Sequence, residues 1–233
     1  MLRHSAMFMY SDTFDPEQQL ILRFATTYLA FCPHVQAFDY GTDLFGGTAP
    51  LRDVKPWKRT PLWKARKSGP PSNYDVCIDL DFNDQAEFEA YVKGEVHEES
   101  AGYKEWMWRQ EFIARVDWWY DGPPLIKRGT VHHESMWLWD DDVPDSRKSE
   151  AKEALAALQK SVPEVLRVTV GDNVGVLTTD YDLIMDVQFD DVAGARAFFE
   201  HPAQKEADAL MAGLTKYEWT ARITADSTGM LSL

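Results

Sequence analysis

The chain has 233 residues, 45% of them hydrophobic and 27% charged, which is the composition of an ordinary globular protein with one large domain or two smaller ones. Its net charge of −14 argues against a nucleic-acid partner, because phosphate-binding surfaces depend on clustered Lys and Arg. The sequence has no apolar run near the roughly 18 residues of a membrane span and no signal-peptide core, so we expect a cytoplasmic protein without a membrane partner.

The first half predicts the element order β-α-β-β-α-β. Strands are expected at about 3–10, 34–40, 74–82 and 111–120, and helical regions at about 16–30 and 84–109. The third strand alternates strictly, with Tyr74, Val76, Ile78, Leu80 and Phe82 predicted on one face and Asp75, Cys77, Asp79 and Asp81 on the other. We expect these aspartates to lie at an interface or to contact water rather than to act in catalysis.

An insertion at about 46–73 separates the second and third strands. It holds seven cationic residues against one acid, in an otherwise acidic chain. Long loops in compact domains are often lids or binding loops. Two interpretations remain open: a flap that binds substrate, or a solvated loop. The substrate-binding candidates are Trp57, Lys58, Arg59, Trp63 and Lys64.

A phenol and an imidazole lie close together on the second helical region. Tyr91 and His97 are six residues apart and do not share one face of an ideal helix. Gly94 weakens the helix between them, so the two side chains can converge. Converging on a pocket, they would form an acid/base site; otherwise they are a half-buried Tyr and a surface His.

The second half repeats the first. Pro33, Val35 and Gly41 recur 130 residues later, whereas Tyr74-Asp75, Asp79 and Phe82 recur 107 residues later, so the first copy contains one insertion of 23 residues. Strands are expected near 130–139, 165–170, 181–189 and 217–224, and helices near 146–161 and 191–213. A Gly-Pro-Pro linker divides the chain into units 1–121 and 125–233. The predicted fold is α+β, two fused ferredoxin-like units that form a pseudo-dimeric α/β barrel.

These motifs resemble the stress-responsive dimeric α/β-barrel family. The second copy carries the clearer signature: Val131-His132-His133, Pro163-Glu164-Val165, Tyr181-Asp182 and the segment from Phe198 to Gln204. A plant cyclase of this family has a histidine on its first strand and a Tyr/His dyad on its second helical region. The resemblance implies that His4, Tyr91 and His97 are catalytic residues of the first copy. The second copy has Phe198 and Gln204 in place of the dyad, which implies a structural role.

The residues favour cofactor-free chemistry. The sequence lacks a Gly-rich nucleotide loop, a Gly-x-Ser-x-Gly elbow and a cluster with metal-ligand spacing, so we predict no cofactor and no metal. His132 and His133 are strand neighbours that point to opposite faces, which keeps one metal from binding both. Cys32 and Cys77 are too few for a disulfide framework and are expected to be buried thiols.

Three functions remain open at this level. The first is a lyase or cyclase that acts on a small aromatic or polyketide-like carbonyl compound through His/Tyr acid/base chemistry. The second is a cofactor-independent monooxygenase of a phenolic substrate, and the third is a non-catalytic stress or ligand-binding protein. In each, the partner is a small molecule, and the protein is a monomer with an internal pseudo-dimer or a homodimer.

Overall fold

A computed structural model of the protein describes residues 1–9, 23, 26–45, 72–104, 113–122, 129–176 and 181–231. The strands are β1 (Leu2–Phe8), β2 (Ala37–Thr42), β3 (Val76–Phe82), β4 (Ala114–Trp119), β5 (Val131–Trp137), β6 (Val165–Asp172), β7 (Leu183–Phe189), β8 (Ala221–Asp226) and β9 (Met230–Leu231). The helices are α1 (Gln85–Val92), α2 (Glu95–Lys104), α3 (Asp145–Ser161), α4 (Val192–Glu200) and α5 (Pro202–Ala212), with 3-10 turns at Tyr28–Phe31 and Tyr217–Trp219. Most of the predicted helix 16–30 lies outside the described residues.

The strands form two antiparallel sheets, ordered β4-β1-β3-β2-β9 and β6-β7-β5-β8. Strands β1–β4 and β5–β8 therefore have the same relative order, and the predicted α+β architecture of two ferredoxin-like units is confirmed. The sequence analysis did not predict β9. This short strand comes from the second half and pairs with β2 of the first sheet, opposite Ala37 and Phe38.

The two sheets pack face to face and close into a barrel with the helices outside. Backbone bridges join the sheet edges, between Trp118 and Asn173 on one side and between Asp43 and Ala225 on the other. Because strand side chains alternate, even-numbered residues of β1 pack in the helix-side core and Met7 packs between the sheets. The second sheet packs against α3–α5 in a third cluster. In the described part of the chain, no helix is long and apolar enough to cross a membrane.

Two equivalent glycines allow the sheets to approach. A Cβ on Gly41 would lie 2.5 Å from the Cβ of Ala225, and a Cβ on Gly171 would clash with the Trp118 ring. Gly41 and Gly171 are related by the 130-residue offset, and Trp118 and Ala225 by the 107-residue offset. Each half thus uses its second-strand glycine to accept a last-strand side chain from the other half.

Both long helical regions are broken, contrary to the single predicted segments. The first divides at Lys93-Gly94 and the second at His201-Pro202. Pro202 has no backbone N–H, so α5 begins there, and the His201 ring accepts a hydrogen bond from the Ala203 N–H. In the first half Gly94 produces the equivalent break without a proline, because glycine is a weak helix former.

The predicted faces of β3 are correct except at Tyr74. Val76, Ile78, Leu80 and Phe82 pack in the helix-side core. Tyr74 instead packs between the sheets, because it precedes the strand and its N–H donates to the Arg222 carbonyl of the other half. Asp79 and Asp81 are both 0% exposed, so they lie at the interface between the sheets and do not contact water. Cys32 and Cys77 are buried free thiols.

Candidate acid/base site

Tyr91 and His97 lie side by side on the outer face of the first sheet. Their ring centroids are 4.8 Å apart, with an angle of 57° between the ring planes. The two helices that carry them meet at Gly94, whose N–H bonds back to the Tyr91 carbonyl at 3.0 Å. A Cβ on Gly94 would lie 3.1 Å from this same carbonyl oxygen, so the turn favours glycine. The helix break therefore brings together two side chains that a straight helix would separate.

The same break fixes the tautomer of His97. Helix α1 ends at Val92, and the carbonyl of Val92 lies 3.0 Å from His97 Nδ1. A carbonyl only accepts hydrogen bonds, so Nδ1 carries the hydrogen. In the neutral ring Nε2 then holds the lone pair, which is the form that a general base needs.

Tyr91 is a buried phenol that stays protonated. It is 4% exposed and packs against Phe82, with ring centroids 5.2 Å apart. Burial and the nearby Cys32 thiol raise the pKa of Tyr91 well above its usual value. A phenol in this state donates a hydrogen bond, and such a donor can stabilise an oxyanion that develops beside it.

His4 belongs to a second pair in the same layer. Its Nδ1 lies 2.6 Å from Asp117 Oδ1, because the antiparallel register of β1 and β4 places the two residues directly opposite each other. The His4 ring also stacks on Phe88, at 5.4 Å between centroids, and Phe88 stacks on Tyr91 at 6.4 Å. The Phe88 ring thus lies between the two pairs. Asp117 is fully buried and holds Nδ1–H of His4, so the lone pair of the neutral ring is on Nε2.

Asp117 was not predicted from the sequence as a site residue. The two residues of the pair are 113 positions apart, and only the pairing of the first strand with the last brings them into contact. The expected ferredoxin-like strand order contained this signal, because it makes β1 and β4 neighbours.

The second half has the same arrangement of strands, but its first-strand histidine has different hydrogen-bond partners. His133 corresponds to His4, but its Nδ1 lies 2.9 Å from Thr224 Oγ1 and its Nε2 lies 2.9 Å from Ser135 Oγ. Both ring nitrogens are therefore engaged. Burial, reinforced by the charges of Arg222 and His132, lowers the pKa of His133 to about 3, so the ring is neutral. Thr224 stands where the first half has Asp117, at the 107-residue offset.

The second half also lacks proton-transfer groups at the positions that correspond to Tyr91 and His97. Phe198, which corresponds to Tyr91, is fully buried and packs against Phe189 at 5.2 Å between ring centroids. Gln204 corresponds to His97 and has no imidazole to exchange a proton. On the helix side of the sheets, the described first half therefore has a phenol, an imidazole and a His–Asp pair that the second half lacks at the equivalent positions.

Replacing Asp117 by Asn is expected to release the tautomer of His4. The charged acceptor that holds Nδ1–H becomes a neutral amide, which can also donate, so the ring samples both tautomers. Nitrogen-15 NMR of the imidazoles measures this, with a Nδ1–H signal for His4 expected in the wild type and a mixed signal in Asp117→Asn. The matched control is Thr224→Ala, which changes the equivalent position beside His133. An unchanged His4 signal in Asp117→Asn would contradict the assigned hydrogen bond.

The predicted substrate-binding residues Trp57, Lys58, Arg59, Trp63 and Lys64 lie outside the described residues. A groove of about 610 Å³ is present elsewhere, at a junction of the two halves, with Trp119, Leu166 and Arg167 in its lining. The guanidinium of Arg167 is already engaged there, since it donates to the Asp121 carbonyl at 2.8 Å. The Tyr91–His97 pair does not line this groove, so we do not assign the groove to the acid/base site.

Comparison with known proteins gives a family match for the second half. The sequence model of the Stress responsive A/B Barrel Domain matches residues 131–227. A search of curated proteins gives no match.

Solved structures with related folds span the whole chain. An anthrone oxidase-like protein is 14% identical with a TM-score of 0.65, and the match covers 97% of this chain and 90% of that one. A putative monooxygenase from Fusobacterium nucleatum is 10% identical with a TM-score of 0.56, covering 98% and 92%. Another from Lactobacillus acidophilus NCFM is 10% identical with a TM-score of 0.52, covering 100% and 98%. These similarities establish the fold of both halves together.

Proposed function

We propose that the protein is a cofactor-independent lyase or cyclase whose acid/base site lies in the first half of the chain, the half outside the match of residues 131–227 to the Stress responsive A/B Barrel Domain. In this proposal, residues 1–121 form the catalytic unit and residues 125–233 form its structural partner. The contact between Tyr91 and His97 carries the proposal, because it joins a protonated phenol to an imidazole with its lone pair on Nε2.

The proposed reaction begins with proton transfer from carbon. His97 Nε2 removes a proton from the carbon next to a carbonyl group, and the electron pair of the broken C–H bond moves onto the carbonyl oxygen. Tyr91 O–H donates a hydrogen bond to the enolate oxygen that results. The enolate then closes onto a second carbonyl, expels a leaving group or is reprotonated. Aldol closure, retro-aldol cleavage and dehydration share this enolate chemistry.

The surroundings favour an aromatic or polyketide-like carbonyl substrate. Phe82 and Phe88 are fully buried beside Tyr91, with centroids 5.1 Å apart, so the layer behind the pair is aromatic, and aromatic surroundings suit flat, apolar molecules. His4, held by Asp117, lies across Phe88 and positions the far end of the substrate. We propose that the cations and tryptophans of the insertion 46–73 contribute to substrate capture.

A monooxygenase acting on a phenolic compound is the second candidate. The related structures described as anthrone oxidase-like and as putative monooxygenases favour this candidate. The same histidine would deprotonate the phenol, and the electron-rich anion would react with O₂ without a bound cofactor. The two candidates differ in one requirement, which is the need for oxygen.

Hydrogen exchange in heavy water tests the proposal. A set of aromatic 1,3-dicarbonyl compounds is incubated with the protein in D₂O, with and without oxygen, and deuterium at the carbon between the carbonyls is measured by mass spectrometry. We expect enzyme-dependent exchange that does not need oxygen. Conversion only in the presence of oxygen would support the monooxygenase instead. Tight binding without exchange or conversion would indicate a ligand-binding protein.

A further inference from the structure

The space between the two sheets contains a cluster of buried charged residues that the acid/base site does not use. It lies on the opposite face of the first sheet from His4, because it is built from the alternate strand positions. Every member of the cluster is at most 5% exposed: Arg3, Asp39, Asp79, Asp81, His132, Glu134 and Asp186. Buried charges are costly unless they are paired, so each member needs a partner.

Several of these charges have their partners within the protein. Arg3 holds Asp81 through two hydrogen bonds, at 2.7 and 2.9 Å. Asp39 accepts hydrogen bonds from Tyr40, Thr228 and Gly229, at distances of 2.7–3.2 Å. These two carboxylates are therefore satisfied without any additional group.

Glu134 and Asp186 are not satisfied in this way. Among the described residues, no hydrogen-bond donor reaches either carboxylate oxygen of Glu134 or of Asp186. Their exposures are 0% and 1%. These two carboxylates thus lie buried side by side without a hydrogen-bond donor from the described part of the chain.

His132 lies beside both carboxylates. Its Nδ1 is 3.6 Å from Asp186 Oδ2 and 3.7 Å from Glu134 Oε1, and the three ligand atoms lie within 4.8 Å of one another. These distances exceed the usual range of about 2.7–3.2 Å for hydrogen bonds. Two ligands that share a tetrahedral metal at about 2.0–2.1 Å lie roughly 3.3 Å apart. The observed spacing is closer to that of metal ligands than to that of a hydrogen-bonded triad.

We propose that His132, Glu134 and Asp186 bind a divalent first-row transition-metal ion inside the barrel. One imidazole and two carboxylates are a ligand set typical of Zn²⁺ and related ions. Cys77 Sγ lies 3.7 Å from the other ring nitrogen of His132, and Asp79 lies beside it. Cys77 thus contacts Nε2, the ring nitrogen opposite the one that faces Glu134 and Asp186. All three ligands come from the second sheet, His132 and Glu134 from β5 and Asp186 from β7. Arg3 of β1, in the first sheet, lies 3.9 Å from Asp186.

The sequence predicted no metal, because no cluster of possible ligands has metal-ligand spacing along the chain. The proposed site differs because its ligands come together only in the folded sheet. His132 and Glu134 are two apart on one strand and share a face, whereas Asp186 enters through the pairing of β5 with β7, directly opposite Glu134. His133, the neighbour of His132, points to the helix side and takes no part. One metal ion therefore cannot bind both His132 and His133, as predicted.

Metal content of the full chain tests the proposal. The protein is produced in medium supplemented with Zn²⁺ and Mn²⁺, dialysed against a weak chelator and analysed by mass spectrometry for metal per chain. We expect about one equivalent in the wild type. Glu134→Gln and Asp186→Asn should each weaken affinity by 10-fold or more, because each removes one ligand charge with little change in shape. The matched control is His133→Gln, which should retain the metal.

A cobalt experiment gives an independent reading of the ligands. The chain is unfolded, stripped of metal and refolded with Co²⁺, and a visible absorption band is expected in the wild type and in His133→Gln. The band should be lost in the double variant Glu134→Gln/Asp186→Asn, whose folding is checked by circular dichroism. The proposal is overturned if the wild type holds less than about a tenth of an equivalent by both routes, or if the double variant binds Co²⁺ as the wild type does.

Discussion

Replacement of His97 by Ala is expected to lower turnover by about 10²–10⁴-fold, the usual cost of removing a general base. The Val92 carbonyl accepts a hydrogen bond from His97 Nδ1–H at 3.0 Å, so the lone pair of the neutral ring is on Nε2. The variant loses this lone pair, which is the proposed base. Tyr91→Phe should lower turnover less severely, because it removes one hydrogen bond to the developing oxyanion and leaves the base in place. The measurement is kcat with a compound that undergoes the proposed exchange.

The internal repeat supplies the control for this prediction. Gln204 occupies the position of His97 in the second half, so Gln204→Ala should leave turnover nearly unchanged. His4→Ala should have an intermediate effect, because His4 is separated from the Tyr91–His97 pair by the Phe88 ring. Melting temperatures identify any variant that loses activity by unfolding. Loss of activity in Gln204→Ala, together with full activity in His97→Ala, would place the working site in the second half.

The second large effect concerns stability. Arg3→Met is expected to destabilise the protein by about 3–5 kcal/mol, because it leaves Asp81 buried without its cation. Arg3 is 1% exposed, and Asp81 otherwise receives a hydrogen bond from the Tyr120 hydroxyl at 2.9 Å. At about 2–4 °C per kcal/mol for a chain of this size, the melting temperature should fall by roughly 10 °C. Thermal unfolding followed by circular dichroism measures the change.

Two further variants separate the buried pair from ion pairs in general. Arg3→Met/Asp81→Leu removes both charges and should recover much of the lost stability, since no unpaired carboxylate remains. Arg147 forms an ion pair with Glu150 on the surface of α3, with the arginine side chain 45% exposed. Arg147→Met should therefore cost less than about 1 kcal/mol. If both arginine variants had the same small effect, the buried pair would contribute no more than a surface one.

The sequence by itself determined the architecture. The two offsets of the repeat and the period-two pattern of 74–82 predicted two β-α-β-β-α-β units, because alternation and helical spacing are local properties of the chain. Gly94 indicated that Tyr91 and His97 can converge, since all three residues lie within one short segment, but the alternative of a half-buried Tyr and a surface His stayed open. The sequence prediction gave each long helical region as one segment and did not divide it, although Gly94 and Pro202 are residues that interrupt helices.

Only the tertiary structure decided which distant residues are partners. Asp117 meets His4 through the register of β1 with β4, and β9 joins the first sheet from the far end of the chain. The polar face of β3 was predicted to meet an interface, but its partners were not predicted. Arg3 meets Asp81 through the register of β1 with β3, whereas His132 and Asp186 face β3 because the two sheets stack. Such pairings arise from strand order and sheet packing, which act between residues about 50 to 190 positions apart and leave little trace in any local pattern. Part of the helix-side site, the Tyr91–His97 pair, could therefore be predicted from the sequence. The buried cluster could not, because its members come together only when the two sheets pack.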